Sequence, residues 1–284
     1  MKKITVQQAG KFALIFAIAS LGVDALIAIG RPCVNIINGL ISMVNYGLHT
    51  EYLITMISTN VGSIASGLFG LAPAILFIVY FLLFYKNNKK HVFLPITYMV
   101  GALWAVGSFF SSIFSLFSIL GFDRHPVSII TSVIGTVGSV IGSFFTLAIF
   151  VVFIITHFMQ YKPMKIAKIA AVVMVARAAL SFVLGLVLNF VFQVIIPAFI
   201  YNSNFVTGFI GYLFAVLGSV AGLLWAGSHF LLWFKGLEDE PADESETTAE
   251  NAEQPAEEYA EQPAEEYAEQ PAYTENADDT NQTL

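Results

Sequence analysis

Two charged side chains, Asp24 and Arg177, lie deep within apolar sequence. In residues 171–182, AVVMVARAALSF, Arg177 is the single charged residue, and Asp24 lies in a comparable stretch near the N-terminus. A lone charge at the centre of a bilayer costs at least about 2.5 kcal/mol, so such residues pair with each other, reach an interface or act on a solute. We therefore predict that Asp24 and Arg177 form an intramembrane charge pair or a gate.

Three interpretations of these two residues stay open at the level of sequence. At about 1.5 Å per helical residue, Arg177 lies about 13 Å beyond Lys168, close to mid-depth, and Asp24 lies about 20 Å beyond Lys11. Their opposite signs favour direct pairing between two helices. Alternatively, Arg177 extends to the inner surface while Asp24 meets water from outside. In the third interpretation, both residues gate or bind a charged solute at the base of an outer vestibule.

Small polar side chains recur along the apolar runs and concentrate in the predicted outer half of each run. Serines three and four residues apart share one face of a helix. We predict that the following residues line an outward-facing polar vestibule: Asn35, Asn38, Ser108, Ser111, Ser115, Ser132, Ser139, Asn189 and Gln193. The alternative is that the faces rich in glycine and serine only pack neighbouring helices closely together.

Six apolar runs are long enough to position these side chains within a membrane. With 57% hydrophobic residues, the chain is more apolar than a soluble protein. A bilayer core about 30 Å thick needs about 20 apolar residues per helix, and no run shows the alternation of a membrane barrel strand. The predicted helices cover residues 12–30, 60–84, 93–120, 128–161, 169–193 and 205–234. The predicted fold class is all-α: a polytopic membrane helix bundle with six transmembrane helices arranged as three hairpins.

Lysine residues determine the predicted orientation of the bundle. Lys11, Lys86, Lys162 and Lys235 recur at intervals of 75, 76 and 73 residues, which favours the division into three hairpins. Ten lysines flank the predicted helices on one side, and the positive-inside rule places that side in the cytoplasm. We predict an integral protein of the cell membrane with both termini cytoplasmic. The rival interpretation is an N-terminal signal cleaved near residue 20, which would leave five helices and remove Asp24 from the membrane.

The C-terminal segment differs from the rest of the chain in composition. Of the 20 acidic residues, 17 follow Lys235, and the octad AEQPAEEY occurs twice, at residues 252–259 and 260–267. A segment so charged and so poor in apolar residues cannot bury enough surface to fold. We predict a six-helix transmembrane domain at residues 1–236 and a disordered acidic cytoplasmic tail at residues 237–284, which is either a solvated tail or a docking segment for a cytoplasmic protein.

Absent motifs narrow the classes of function. The basic residues form no stripe, which argues against nucleic-acid binding, and Cys33 is the only cysteine, so no internal disulfide can form. No catalytic, metal-binding or nucleotide-binding motif is present, so we expect no enzyme activity and no cofactor. His157 and His229 are interpreted as hydrogen-bonding residues near the inner interface.

Two functions remain after these exclusions. The first is a permease or channel for a small solute or ion, with an outward-facing polar vestibule. The second is a non-transporting scaffold or accessory subunit whose acidic tail binds a cytoplasmic partner. The lipid bilayer is a predicted partner in both cases. The oligomeric state stays open, because an exposed glycine face and an internally packed one look the same in sequence.

Overall fold

The computed structural model of the protein describes residues 4–46, 50–119, 126–160, 164–200 and 205–238. Within these ranges the chain is helical apart from short turns and contains no strand, which confirms the predicted all-α class. The α-helices are α1 (Val6–Tyr46), α2 (Thr50–Gly70), α3 (Ala72–Tyr80), α4 (Phe93–Ile119), α5 (Pro126–Phe158), α6 (Met164–Phe190), α7 (Ile196–Ile200) and α8 (Phe205–Leu231). π-Helical turns follow α3, α6 and α8 at Phe81–Tyr85, Val191–Ile195 and Leu232–Gly236. The first two residues of the predicted tail pack on the helices, since Leu237 is buried in the core and Glu238 contacts Lys168; from position 239 onward the tail lies outside the described residues.

Six segments of the described chain are long and apolar enough to cross a membrane, as predicted. They are called spans one to six and cover Val6–Ile41, Leu53–Tyr85, Phe93–Ser115, Ser132–Phe158, Met164–Ile195 and Gly208–Gly236. Each span exceeds the roughly 20 residues that a helix needs to cross a bilayer core. The fold is therefore compatible with an integral membrane protein in a lipid bilayer.

The spans differ from the predicted helices mainly near proline residues. α1 begins at Val6 and continues through Pro32 to Tyr46, so the first helix is longer than the predicted 12–30 at both ends. Apolar residues keep a helical period after Pro32, and this outweighs the one backbone hydrogen bond that a proline removes. Span two instead breaks at Leu71, because α2 ends at Gly70 and α3 has Pro73 in its first turn, where a helix needs no N–H donor.

The spans pack in the order in which they occur along the chain. α1 contacts α2, α3 contacts α4, α4 contacts α5, α5 contacts α6, and α6 contacts α8. α8 also packs along α1, which brings span six back to span one. In the described part of the chain, the six spans therefore form a closed ring in which each has two principal neighbours.

Three lysines meet at one end of the ring, here called the lysine-rich end: Lys168 of span five, Lys235 of span six and Lys89 of the turn between spans two and three. Lys168 and Lys235 both form ion pairs with Glu238, and Lys168 Nζ lies 2.8 Å from Glu238 Oε1. The Nζ atom of Lys89 lies 3.5 Å from the carbonyl oxygen of Glu238. Hydrogen bonds from Lys168 and then from Lys235 lower the pKa of the Glu238 carboxyl.

Burial concentrates next to the lysine-rich end. The Tyr85 hydroxyl donates a hydrogen bond to the carbonyl oxygen of Gly236 at 2.8 Å and lies 3.4 Å from that of Val6, so the ends of spans one, two and six meet. One core cluster takes buried side chains from all six spans, among them Ala13, Ala17, Phe77, Tyr98, Phe153, Ala171, Leu232 and Trp233. The tight, aromatic half of the ring is thus the half that carries the lysines.

Candidate functional site

A cavity of about 470 Å³, here called the central cavity, lies between the spans and is partly open to the surroundings. Each of the six spans contributes to its wall. Its lining residues include Asp24 from α1, Gly70 from α2, Trp104 and Ser108 from α4, Gly138, Ser139, Gly142, Ser143 and Thr146 from α5, Arg177 from α6, and Gly222 and Trp225 from α8. The two charged residues predicted from the sequence therefore face one common space.

Arg177 lies on the α5 side of the central cavity. Its Nη1 donates a hydrogen bond of 2.7 Å to the Thr146 hydroxyl, which itself donates to the carbonyl oxygen of Gly142 at 2.9 Å. A Cβ atom on Gly142 would lie only 2.9 Å from Arg177 Nη2, so glycine provides the room that the guanidinium occupies. Thr146 follows Gly142 by one helical turn and is therefore on the same face of α5.

Asp24 has a different polar neighbour. The Ser20 hydroxyl lies 3.0 Å from the carbonyl oxygen of Ala221 in α8 and 3.4 Å from Asp24 Oδ2. A hydroxyl has one proton to donate, and the Ala221 carbonyl is the nearer of the two acceptors. The contact between Ser20 and the Asp24 carboxylate is therefore the longer and weaker one. Between described residues, the ion pairs within 4.0 Å involve Glu238, whereas Asp24 and Arg177 are farther apart than that distance.

Three of the predicted vestibule residues line cavities. Ser108 and Ser139 line the central cavity. They also line a second cavity of about 760 Å³ between span two, α4 and α5, together with Ser111. The hydroxyls of Ser139 and Ser112 form a hydrogen bond of 2.8 Å that joins α5 to α4.

The other six predicted vestibule residues do not line any of the cavities described here. Asn35 donates to the side chain of Asn60 at 3.3 Å, which ties α1 to α2. Gln193 donates to Asn189 at 3.2 Å within span five. The remaining three are placed on helix surfaces: Asn38 is half-buried in α1, Ser115 is exposed on α4, and Ser132 is half-buried in α5.

Glycines serve two purposes in the ring. A Cβ atom on Gly67 would lie 2.8 Å from the Cβ of Ala28, so this glycine lets α2 approach α1 closely. Gly138 and Gly222 instead line the central cavity, and a Cβ atom on either would meet no atom within 4 Å. At these two positions the absence of a side chain keeps the cavity wide, and it does not serve to bring two helices together.

An aromatic cluster closes the central cavity towards the lysine-rich end and is here called the aromatic floor. It comprises Phe77, Tyr98, Phe150, Phe153, Trp225, His229 and Trp233. Phe150 and Trp225 also line the cavity, and Trp233 Nε1 donates to the Tyr98 hydroxyl at 2.9 Å. This hydrogen bond and the ring contacts of the cluster join α3, α4, α5 and span six.

His229 is a correction to the sequence interpretation. We expected it at an interface, but its side chain is fully buried in the aromatic floor, with its ring 4.5 Å from that of Phe77. Its Nδ1 lies 2.9 Å from the carbonyl oxygen of Trp225. Its Nε2 has no hydrogen-bond partner among the described residues.

A third cavity of about 380 Å³ lies between α5, α6 and α8, and Arg177 and Thr146 line it as well as the central cavity.

In the described ranges, no group of three or more His, Cys, Asp or Glu side chains could hold a metal ion. No protein-family model matches the chain, and neither a curated protein nor a solved structure is significantly similar to it.

Proposed function

We propose that this chain is an integral membrane protein that moves a small polar solute or ion across the bilayer through the central cavity. The observation that carries the proposal is a cavity walled by all six spans that holds two intramembrane charges. Charged residues within a membrane are costly and usually mark solute or ion pathways. Asp24 and Arg177 are the proposed contacts for the moving species.

The direction of access follows from the lysines. By the positive-inside rule the lysine-rich end faces the cytoplasm, which makes both termini cytoplasmic. The central cavity then opens outward, and the aromatic floor is the inner barrier that must part for passage. The three hairpins and the acidic segment that follows Glu238, for which we propose a cytoplasmic location, complete the proposed organisation.

The main alternative is a scaffold in which the small-residue faces serve only for helix packing. Gly138 and Gly222 argue against it, because side chains added there would meet open space. Gly67 shows what packing requires, since a Cβ atom there would collide with Ala28. The two kinds of glycine therefore give the proposal a direct test.

The test is solute flux into proteoliposomes that contain the full-length chain. Osmotic swelling is followed by light scattering with urea, glycerol, glycine and potassium chloride as probes. Gly138→Leu should fill the cavity, abolish the flux of any solute that the wild type passes and leave the protein stable, because leucine favours helix over glycine by up to about 1 kcal/mol. Gly67→Leu is the matched control and should destabilise the fold by forcing α1 and α2 apart.

Two results would contradict the proposal. One is a wild-type vesicle that is no more permeable to any of the probes than an empty one. The other is a folded Gly138→Leu protein with unchanged flux, which would mean that the solute does not cross through the central cavity. In the first case, recovery of a cytoplasmic partner with the wild type and its loss after deletion of residues 239–284 would favour the scaffold.

A further inference from the structure

We propose that the solute is a zwitterion: a small molecule that carries one ammonium and one carboxylate or other oxyanion. This inference rests on the proposed function and assigns its substrate class. Asp24 is the proposed partner of the ammonium, and Arg177 is the proposed partner of the oxyanion.

The first support is that the two charges share a cavity without neutralising each other. Their polar neighbours are Ser20 for Asp24 and Thr146 for Arg177, and both neighbours are uncharged. A guanidinium has five N–H donors in a planar fork suited to a carboxylate. The described contacts of Arg177 use one of these donors, so the fork has capacity for a ligand.

The second support is the position of the two residues around the ring. Asp24 lies on α1 and Arg177 on α6, with α8 between these two helices. The Arg177 guanidinium is held against α5 by its hydrogen bond to the Thr146 hydroxyl. A ligand that reaches both residues must therefore span part of the cavity and present opposite charges at its two ends.

The third support is the size and chemistry of the space. A volume of about 470 Å³ falls within the roughly 300–1,000 Å³ of small-molecule sites. Trp104 and Trp225 line the wall, and the face of an indole ring attracts an ammonium group. Ser108 and Ser143 add hydroxyls that serve either charged group.

A singly charged solute fits this cavity less well. An anion on Arg177 would share the cavity with the Asp24 carboxylate, and a cation on Asp24 would share it with the guanidinium. Each arrangement leaves one unpaired charge within the membrane, which costs several kcal/mol. A zwitterion satisfies both residues together and leaves the cavity neutral.

The experiment measures protection of a cysteine in the cavity by three probes. Ser108→Cys is introduced into a Cys33→Ser background, because Cys33 is exposed and would react. The labelling rate with a charged thiol reagent is then titrated with alanine, propionate and ethylamine. Alanine carries both charges, and the other two probes carry one each. We expect alanine to protect at concentrations about tenfold or more below either half-analogue, as for one added charge-assisted hydrogen bond.

Charge variants test the assignment of each residue. Arg177→Gln should weaken protection by alanine about tenfold or more, so that ethylamine protects as well as alanine does. Asp24→Asn should also weaken protection by alanine, so that propionate protects as well as alanine does. Arg31→Gln and Glu51→Gln remove exposed charges of the same types outside the cavity and should change nothing. Arg177→Lys keeps the positive charge and covers the case in which Arg177→Gln does not fold.

The outcomes separate the substrate class from transport itself. Equal protection by alanine, propionate and ethylamine would overturn the zwitterion while leaving the flux test untouched. Vesicles with and without phosphatidylethanolamine, whose headgroup carries the same two charges, distinguish a lipid from a solute. Protection by that lipid with none by alanine would overturn the solute assignment.

Discussion

Phe77 is the residue whose truncation tests the aromatic floor most severely. Its side chain is fully buried, and its ring lies 4.5, 5.1 and 5.2 Å from the rings of His229, Phe81 and Trp225. Because an unfolded helix in lipid is already in an apolar medium, little transfer energy is lost, and the packing terms dominate. Phe77→Ala leaves roughly 100 Å³ of void, which at about 24 cal/mol per Å³ costs about 2 kcal/mol.

The lost ring contacts raise this value. Aromatic pairs contribute about 0.5–1.5 kcal/mol each, and partial collapse recovers some of the loss, so we expect a total of about 2–4 kcal/mol for Phe77→Ala. Phe77→Leu keeps most of the volume and should cost less than about 1.5 kcal/mol. The free energy of unfolding is measured by detergent titration in mixed micelles, followed by circular dichroism.

Phe114→Ala provides the matched control for this truncation. Phe114 is 68% exposed on α4, so its removal should have almost no effect on unfolding. If Phe77→Ala and Phe114→Ala shift the unfolding transition equally, the aromatic floor is not the packed core described above. Phe77→Ala should also raise solute flux, because it thins the inner barrier beneath the central cavity.

Three further substitutions address individual contacts. Thr146→Val removes the acceptor of the Arg177 hydrogen bond with little change of shape and should destabilise the fold by about 1.5–3 kcal/mol in the same titration, whereas Thr146→Ser should not. The lowered pKa of Glu238 means that its stabilisation is complete above the ordinary glutamate pKa of about 4.3 and is lost as the pH falls through the lower folded value. Glu238→Gln should remove this pH dependence. The stability that it removes should not exceed about 1 kcal/mol, because both ion pairs are partly exposed; an unchanged pH profile would refute the ion pairs. His229→Phe should cost less than about 2 kcal/mol, because it removes a buried Nε2 without a partner and the Trp225 carbonyl, which loses its contact with Nδ1, still accepts from the Ser228 hydroxyl; a larger loss would show that the imidazole makes a necessary polar contact.

The number and type of the spans could be predicted because the bilayer imposes a length and a composition on each helix. Every predicted apolar run corresponds to a span in the structure. The ends were less predictable. α1 continues past Pro32, because a helix tolerates one proline where the surrounding residues keep their period.

The composition of the cavity was only partly predictable. Ser108 and Ser139 line it because the serine stripes of α4 and α5 face each other, as their hydrogen-bonded neighbour Ser112 shows. Asn35 and Gln193 instead bond to asparagines on a neighbouring helix or on the same one. Helical spacing identifies a polar face, but the rotation of each helix within the ring decides what that face meets.

The partners of the two charges could not be read from the sequence at all. Thr146 and Ser20 are ordinary residues in their own helices and become partners only through the ring. His229 looked interfacial because it lies near the end of span six, whereas the contacts of α3, α4 and α5 bury it. These assignments depend on tertiary packing, which has no local signal.

The central claim is that the cavity between the spans holds water at the depth of Arg177. The most direct measurement compares two adjacent residues of α5 in a Cys33→Ser background. Ser143 lines the central cavity, and Phe144 is 60% exposed on the outside of the helix, where lipid would cover it. In intact vesicles, a charged, membrane-impermeant thiol reagent should label Ser143→Cys and leave Phe144→Cys unmodified. Protection of Ser143→Cys, or equal labelling of both cysteines, would contradict a water-filled cavity within the ring.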